Sequence, residues 1–432
     1  MRFLYSLLYC FALVFLLPFH YFKRPKDIRS RWLKQKFGIL SLDEQLQPSI
    51  WMHAVSVGET LGARRLVDYL KERFPKSLIL FSTMTDTGQE IARRELLKDN
   101  PQRLFIFYMP FDISFIIKRI LKRYRVCLFI TMETEIWPNI FQECKRLRIP
   151  VIVANARLSE KSMKGYRKIG FFMRPVLGAV NAFCCSSKID KERLNSLGVE
   201  GSRIHITGNL KFDMPPPEKP ALSLRSGGRI VIVIGSTHSG EERLILQSLK
   251  ELIKSGRVFV ILAPRHPERF DEVAGLLTEE DIKFIRKTQL SNNNNEFDTV
   301  GYEILLLDTI GELSSIYSLA DIVILGGSFV PLGGHNLLEP AYWSKPVICG
   351  RHMDNFPLAE EFFKEGAAIQ AGPEDIVKYI IELCDAPEKR LEIGKRARLI
   401  YERNRGALER TVKVIEEIMT PEILRGFTND KG

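Results

Sequence analysis

Carboxylates, basic side chains and glycine-rich loops recur in this sequence at one kind of place, directly after short apolar runs. His53-Ala54-Val55-Ser56-Val57-Gly58-Glu59 sets Glu59 three residues after Ser56. That S-x-x-E spacing is a capping box, in which the two side chains satisfy the free N–H groups that open a helix. The same position makes Glu59 a candidate general base, with Gly58 leaving room for a substrate. A helix N-terminus keeps a carboxylate ionised but also lowers its basicity, so spacing alone favours the cap. Met132-Glu133-Thr134-Glu135-Ile136-Trp137-Pro138 offers two carboxylates beside an amphipathic tryptophan. They are either solvated at a strand edge or placed to orient the hydroxyls of a sugar. Arg157 and Lys211 close two further runs and are either solvated or cations for an acidic substrate group.

A second set lies further along. Gly235-Ser236-Thr237-His238-Ser239-Gly240-Glu241-Glu242 is a loop of small residues whose hydroxyls and N–H groups suit a phosphate, and Ser239 with Glu242 repeats the capping-box spacing. Pro264-Arg265-His266-Pro267 presents a cation and an imidazole, and Ile310-Gly311-Glu312 forms a third loop. The fourth runs from Gly326 to Pro340. Its glycines, Gly333 and Gly334 among them, let backbone N–H groups approach an anion, and a short helix expected from Leu337 to Trp343 adds partial positive charge. Glu339 can accept both hydroxyls of a ribose diol, since one carboxylate has two acceptor oxygens. The segment matches neither G-x-G-x-x-G nor G-x-x-x-x-G-K-[ST], so a nucleotide or sugar-phosphate site at a strand's carboxyl end is the reading. Each loop alone is weak; four on one edge of one sheet make a site.

The elements that position these loops are legible as alternating apolar runs and amphipathic stretches. Candidate strands are 50–55, 78–82, 104–107, 126–131, 151–154, 182–186 and 204–207, then 230–234, 258–263, 282–286, 304–308, 322–325 and 347–349. Between the sets, Met214-Pro-Pro-Pro-Glu-Lys-Pro220, continuing to Gly227-Gly228, reads as an extended linker. The fold class is therefore α/β, with two doubly wound Rossmann-like domains facing a cleft. The domains are placed at 23–213 and 229–405, with the linker at 214–228 and a C-terminal tail at 406–432 whose helix, from about Leu408 to Leu424, packs back on the first domain. The run Ser291 to Asn295 reads as a mobile surface loop.

Residues 1–22 differ from the rest. Phe3 to Phe22 carry no charged side chain except His20, and Lys23, Arg24, Lys26, Arg29, Arg31, Lys34 and Lys36 follow. The run is near the ~20 residues a bilayer span needs, and the trailing cations place the body on the cytoplasmic side. Pro18 shortens the clean apolar stretch, so a helix lying in the interface is the alternative to a single-pass span. The formal net charge of +11 calls for an anionic partner: nucleic acid, a membrane surface or a phosphorylated substrate. Basic residues are not interleaved with aromatics as in single-strand readers, which argues against nucleic acid. Seven cysteines without C-x-x-C spacing, and no HExxH or His/Cys cluster, point to a reducing compartment and no catalytic metal or other cofactor.

Taken together, HAVSVGE (53–59), METEIWPN (132–139), NARLS (155–159), GNLKFD (208–213), GSTHSGEE (235–242), APRHPERF (263–270) and GGHNLLEP (333–340) resemble the 3-deoxy-D-manno-octulosonic acid (Kdo) transferases of lipopolysaccharide synthesis. The resemblance covers almost the whole body and implies a GT-B-type glycosyltransferase that inverts the anomeric carbon. It implies CMP-Kdo as donor on the second domain. It also implies the lipid A precursor (lipid IVA) as acceptor on the first, at the anionic surface of the inner membrane. It makes Glu59 the base, with Glu133, Glu135 and Lys211 supporting the transition state. Ser236, Thr237 and His238, Pro264 and Arg265, Ile310, Gly311 and Glu312, and Gly334 with Asn336, Leu337, Leu338 and Glu339 would then hold CMP. The rival readings are a membrane-associated transferase using a UDP-sugar, a nucleotide-sugar epimerase, and a non-catalytic lipid-binding or nucleic-acid-binding module.

Overall fold

The computed structural model describes residues 2–42, 47–97, 103–213, 216–290 and 296–419. The expected asparagine-rich loop at 291–295, the first two residues of the expected linker and the tail beyond Met419 lie outside them. The chain forms two compact units, Met1–Met214 with Asn404–Gly432, and Pro215–Arg403.

The first unit is built on seven parallel strands: β1 (Ser49–His53), β2 (Leu78–Thr83), β3 (Leu104–Tyr108), β4 (Val126–Met132), β5 (Val151–Ala156), β6 (Ala182–Cys185) and β7 (Ile204–Ile206). Their order is β3-β2-β1-β4-β5-β6-β7, so the direction of winding reverses between β1 and β4. Strand side chains alternate between faces, and both faces are covered. Ile50, Met52, Leu128 and Ile130 enter one core, while Trp51, Leu80, Phe129 and Val153 enter the other. Apolar continuity without polar alternation is what two-sided burial demands of a parallel strand.

Two helices precede this sheet, α1 (Arg2–Phe22) and α2 (Lys26–Lys36). Helix α1 is not free-standing. Tyr9, Leu13 and Leu17, spaced four apart and so on one face, pack against the sheet's core. Tyr5 donates to the Asp112 carboxylate at 3.0 Å, and the Asp112 N–H donates to the Tyr9 hydroxyl at 3.3 Å. Asp112 also accepts from the N–H groups of Asn139 and Ile140, both at 2.9 Å. It thereby caps the helix Pro138–Arg146, whose own N-cap, Trp137, has no side-chain acceptor to offer. Leu4, Leu7, Leu8, Phe11, Val14, Phe15, Phe19 and Phe22 of α1 remain exposed.

In the second unit β9 (Ile230–Thr237), β10 (Val258–Pro264), β11 (Phe284–Arg286), β13 (Ile304–Leu306), β14 (Ile322–Leu325), β15 (Val347–Cys349) and β16 (Ile369–Gln370) form a parallel sheet in the order β11-β13-β10-β9-β14-β15-β16. Winding reverses between β9 and β14. The stretch expected as linker is not all extended coil: Ser223–Arg225 is a strand, β8, paired with β12 (Glu296–Asp298). Arg225 reinforces the pair through Glu296 at 2.6 Å. All seven cysteines are free thiols.

The helix Ala407–Ile418 lays Ala407, Val412 and Ile415 into the core of the first unit. Its N-terminus is held by Asp213, whose buried carboxylate accepts from the N–H groups of Gly406 at 3.0 Å and Leu408 at 2.5 Å. Loss of such a cap costs about 0.5–2 kcal/mol. Asp213→Ala should therefore lower the unfolding free energy by about that amount, read as a lower urea midpoint at constant m-value, and an unchanged midpoint would show that the carboxylate does not hold this helix.

Candidate active site

The first cluster sits where β1 and β4 part. A ligand crevice forms naturally at such a point, because the connections leave the two strands in opposite directions. Helix α3 (Val57–Arg73) starts immediately after β1 with Ser56 as N-cap, its hydroxyl accepting from the Glu59 N–H at 3.3 Å. The reciprocal arm is shifted by one residue from the expected box. Glu59 accepts from the Val55 N–H at 2.8 Å and from the Ser56 hydroxyl at 2.9 Å. Burial nevertheless raises the Glu59 pKa, its Val55 hydrogen bond opposing, Glu133 adding to the rise and Lys211 countering it. Cap and candidate base are one carboxylate.

Glu133 follows β4 with a left-handed backbone, φ 55°, its N–H donating to the Ala154 carbonyl at 2.8 Å. That conformation is costly for a side-chain-bearing residue and turns the carboxylate back over the strand ends. Its partner is Lys211, at 2.6 Å. Lys211 arrives from beyond β7, on a loop fixed by the Leu210 N–H donating to the Asn155 side chain at 3.0 Å. Glu135 stands near the pair, its pKa pushed up to about 7 by burial first and then by the charge of Glu59. The structure thus brings Glu59, Glu133, Glu135 and Lys211 together. Arg157 is exposed and enters no part of this cluster among the described contacts.

The role of Gly62 here was not legible in the sequence. Lys211 runs along α3 over two glycines one turn apart. A Cβ at Gly62 would lie 2.9 Å from Lys211 Cγ, and one at Gly58 would lie 3.4 Å from its Nζ. Glycine is a poor helix residue, so its presence at two adjacent turns marks the lysine's track.

The second cluster sits where β9 and β14 part. His238, after β9, and His335, in the loop after β14, stack at 5.1 Å and 7° with their Nε2 atoms 2.9 Å apart. Such a contact needs one donor and one acceptor, so the pair cannot be doubly protonated. Burial lowers both pKa values, that of His335 to about 4. Arg265 leaves the end of β10 exposed, its N–H bonded to the Thr237 carbonyl at 2.9 Å. Its charge opposes the burial that raises the Glu339 pKa, as does a hydrogen bond from Asn336. The Asn336 side chain also accepts from the Leu338 N–H at 2.9 Å. Ile310 is exposed, Gly311 has φ 90°, and the Thr309 hydroxyl donates to Glu312. The organiser is Glu241, a fully buried carboxylate that accepts from the N–H groups of His238 at 3.0 Å, Gly327 at 2.6 Å and Phe329 at 2.9 Å.

Several expectations change here. The Ser239–Glu242 capping box does not form: Gly240, left-handed at φ 89°, opens the helix Glu241–Lys254 itself, and Glu242 is taken by Arg269 at 2.6 Å. A bidentate guanidinium outcompetes a backbone N–H for that carboxylate. Ser236 and Thr237 are buried, so the open part of their loop is His238 to Gly240. The expected helix 337–343 is shorter, Leu338–Tyr342, which leaves it little macrodipole. Leu337 and Leu338 are buried, and the Gly334 N–H is spent on the Gly327 carbonyl at 2.7 Å.

Comparison with known proteins assigns the family. The family model for 3-deoxy-D-manno-octulosonic-acid transferase (kdotransferase) matches residues 31–214. The 3-deoxy-D-manno-octulosonic acid transferase of Haemophilus influenzae is 35% identical over 380 residues, 85% of this chain and 86% of that protein. The chain belongs to the Kdo transferase family. The Bordetella pertussis 3-deoxy-D-manno-octulosonic acid transferase, 31% identical, covers 86% of the chain and 88% of its own length. Membership makes the protein a glycosyltransferase. The crystal structure of MurG from Acinetobacter baumannii aligns over 86% of this chain and 99% of its own with a TM-score of 0.53 at 15% identity, a likeness of fold that accords with the GT-B class.

Gly62→Ala tests the lysine track. It should leave the thermal midpoint unchanged or raised, because alanine favours helix by about 0.8–1 kcal/mol. Transfer should fall about tenfold or more as Lys211 is displaced from Glu133. Full activity in the folded variant would show that the track is not needed.

Proposed function

We propose that this Kdo transferase moves Kdo from CMP-Kdo to the lipid A precursor lipid IVA in lipopolysaccharide inner-core synthesis, with inversion at the anomeric carbon. The observation that carries the reading is the Glu59 carboxylate, buried enough for its pKa to rise and flanked by a lysine–glutamate pair. An acceptor hydroxyl loses its proton to Glu59 as its oxygen bonds to the anomeric carbon, and the bond from that carbon to the CMP phosphate breaks. One displacement from the face opposite the leaving group inverts the centre. Positive charge develops on the sugar ring in the transition state, and Glu133, paired with Lys211, is an anion suited to that demand, with Glu135, its pKa about 7, beside it. Lys211 is a cation for the carboxylate that Kdo carries beside the reacting carbon.

In the second unit, Arg265 is the side chain to take up charge on the departing phosphate, aided by the backbone N–H groups of Ser239 and Gly240. Ile310-Gly311-Glu312 offers an open backbone for the base, and the Glu339 carboxylate offers two acceptors for the ribose diol. With a single phosphate to stabilise, this reading assigns charge neutralisation to these side chains.

Attachment to the cytoplasmic face of the inner membrane belongs to the same reading. Of the two modes open from sequence, the interfacial one is favoured, because α1 lies against the body along Tyr9, Leu13 and Leu17 while its other faces present leucine and phenylalanine. Purified protein given CMP-Kdo and lipid IVA should form Kdo-lipid product, and Glu59→Gln should be at least ~10²-fold slower while folded. Turnover with UDP-sugars only, or full activity of Glu59→Gln, would overturn the proposal.

A further inference from the structure

Lys36 is the buried charge that the transfer chemistry does not use. It ends α2 at 5% exposure. Its ammonium has Met84 Sδ at 3.8 Å and the ring faces of Phe111 and Trp32 at 5.6 and 5.8 Å. No carboxylate forms an ion pair with it among the described residues. Arg24, the next cation, is already engaged by Asp86 and lies over the Trp32 ring at 4.6 Å. A buried ammonium whose described contacts are rings and a thioether is short of an anion, since cation–π contacts return only part of its lost hydration.

These residues line a cavity of about 510 Å³ between α1 and the strand-end loops. Its wall on the α1 side is Leu13, Leu16 and Leu17, and its rim carries His20 and Lys23. Leu16 and its neighbour Phe15 are exposed, so the apolar wall continues outward onto the exposed surface of α1. The lining also holds the Asp86 carboxylate, which Arg24 neutralises; the apolar wall and the remaining cations, Lys36 and Lys23, match an acyl chain joined to a phosphate. The volume lies within the ~300–1,000 Å³ typical of ligand pockets.

We propose that this cavity binds an anionic glycerophospholipid of the surrounding bilayer, with the headgroup phosphate at Lys36 and Lys23 and an acyl chain along Leu13, Leu16 and Leu17. The site rests on the reading that α1 lies at a membrane and is independent of donor and acceptor. Burial, with the Arg24 charge behind it, pulls the Lys36 pKa down to about 7. An arriving phosphate would restore its charge, so lipid and lysine stabilise one another. Bound in this way, the lipid would sit against α1, α2 and the Met84-Thr85-Asp86 turn at once. The Thr85 hydroxyl reaches the Val55 carbonyl at 3.5 Å, which places the turn next to the Glu59 loop.

Trp32 lines the cavity and provides the test. The full-length protein is bound to vesicles of one fixed composition, phosphatidylglycerol with phosphatidylcholine. Bromine, a contact quencher of tryptophan, is carried on the acyl chains of either the first lipid or the second. Overall surface charge is then identical in both arms, and subtracting the Trp32→Phe protein isolates the Trp32 signal. Bromine on phosphatidylglycerol should quench Trp32 at least about twofold more than bromine on phosphatidylcholine, and Lys36→Met should abolish the difference. Equal quenching by the two lipids in the unmodified chain, a comparison that needs no Lys36 variant, would overturn the site. So would a preference that survives Lys36→Met. Cosedimentation is scored in parallel, because a chain that fails to sediment with the vesicles refutes both the attachment and the site, whereas equal quenching on sedimenting protein refutes the site alone.

Discussion

On the proposed mechanism a buried carboxylate that takes a proton is served by a cation close by and not in contact, and the side chains around Glu59 in the first unit are arranged in that way. Contact would pin Glu59 in its ionised form and strip it of basicity, whereas a cation held at a distance adds only modestly to the Val55 and Ser56 hydrogen bonds that already oppose the effect of burial. Lys211 is held in this way by bonding Glu133 instead, at 2.6 Å, while its stem passes the first turns of α3. Everything around it serves that track. Glycines at 58 and 62 clear the path, the left-handed Glu133 turns its carboxylate inward, and Asn155 pins the loop from which the lysine comes. Asp213, two residues on, ties the same loop to the C-terminal helix, so the stability of the unit and the placement of the lysine share one segment.

The two units solve the same geometric problem with different chemistry. Each gathers its polar side chains where the order of parallel strands reverses, because neighbouring connections part there and leave strand-end loops uncovered. In the first unit the loops carry acids and a lysine. In the second they carry imidazoles, an arginine and a carboxylate, and Glu241 binds the loops of β9 and β14 through three backbone N–H groups. A fully buried carboxylate satisfied by three donors holds the two loops at a fixed separation without exposing its charge to a ligand. The docked α1 adds an exposed apolar surface to the first unit, with Asp112 both capping the helix Pro138–Arg146 and holding α1.

What was legible in the sequence follows from burial. Strands covered on both faces appear as apolar runs, so the long members of both sheets were visible, and the acids, lysine and glycine loops stood out by following them. Short polar strands were not: β8 (Ser223–Arg225) and β12 (Glu296–Asp298) have three residues each and lie beside proline-rich and asparagine-rich punctuation. Capping motifs were readable only where no distant partner intervened. Ser56 and Glu59 bond one another, but Glu242 is claimed by Arg269, far along the chain. The same limit hid Glu241, Asp213 and Gly62, whose partners are distant in sequence. Lys36 looked like one of seven solvated cations in a basic collar; its burial against Trp32 and Phe111 depends on packing that no local pattern records.

The proposed mechanism stands on Glu59 as a base whose proton affinity is raised by burial and restrained by the Val55 and Ser56 hydrogen bonds and, further, by Lys211. The direct measurement is the pH dependence of kcat/KM for Kdo transfer, in the unmodified protein and in Lys211→Met, because its acid limb reports the base of the free enzyme. A raised pKa means that activity is lost as pH falls through a value above that of an ordinary glutamate. Removing the cation should push the residual activity's limb to still higher pH. A limb that stays in place or moves down in Lys211→Met would contradict the claim.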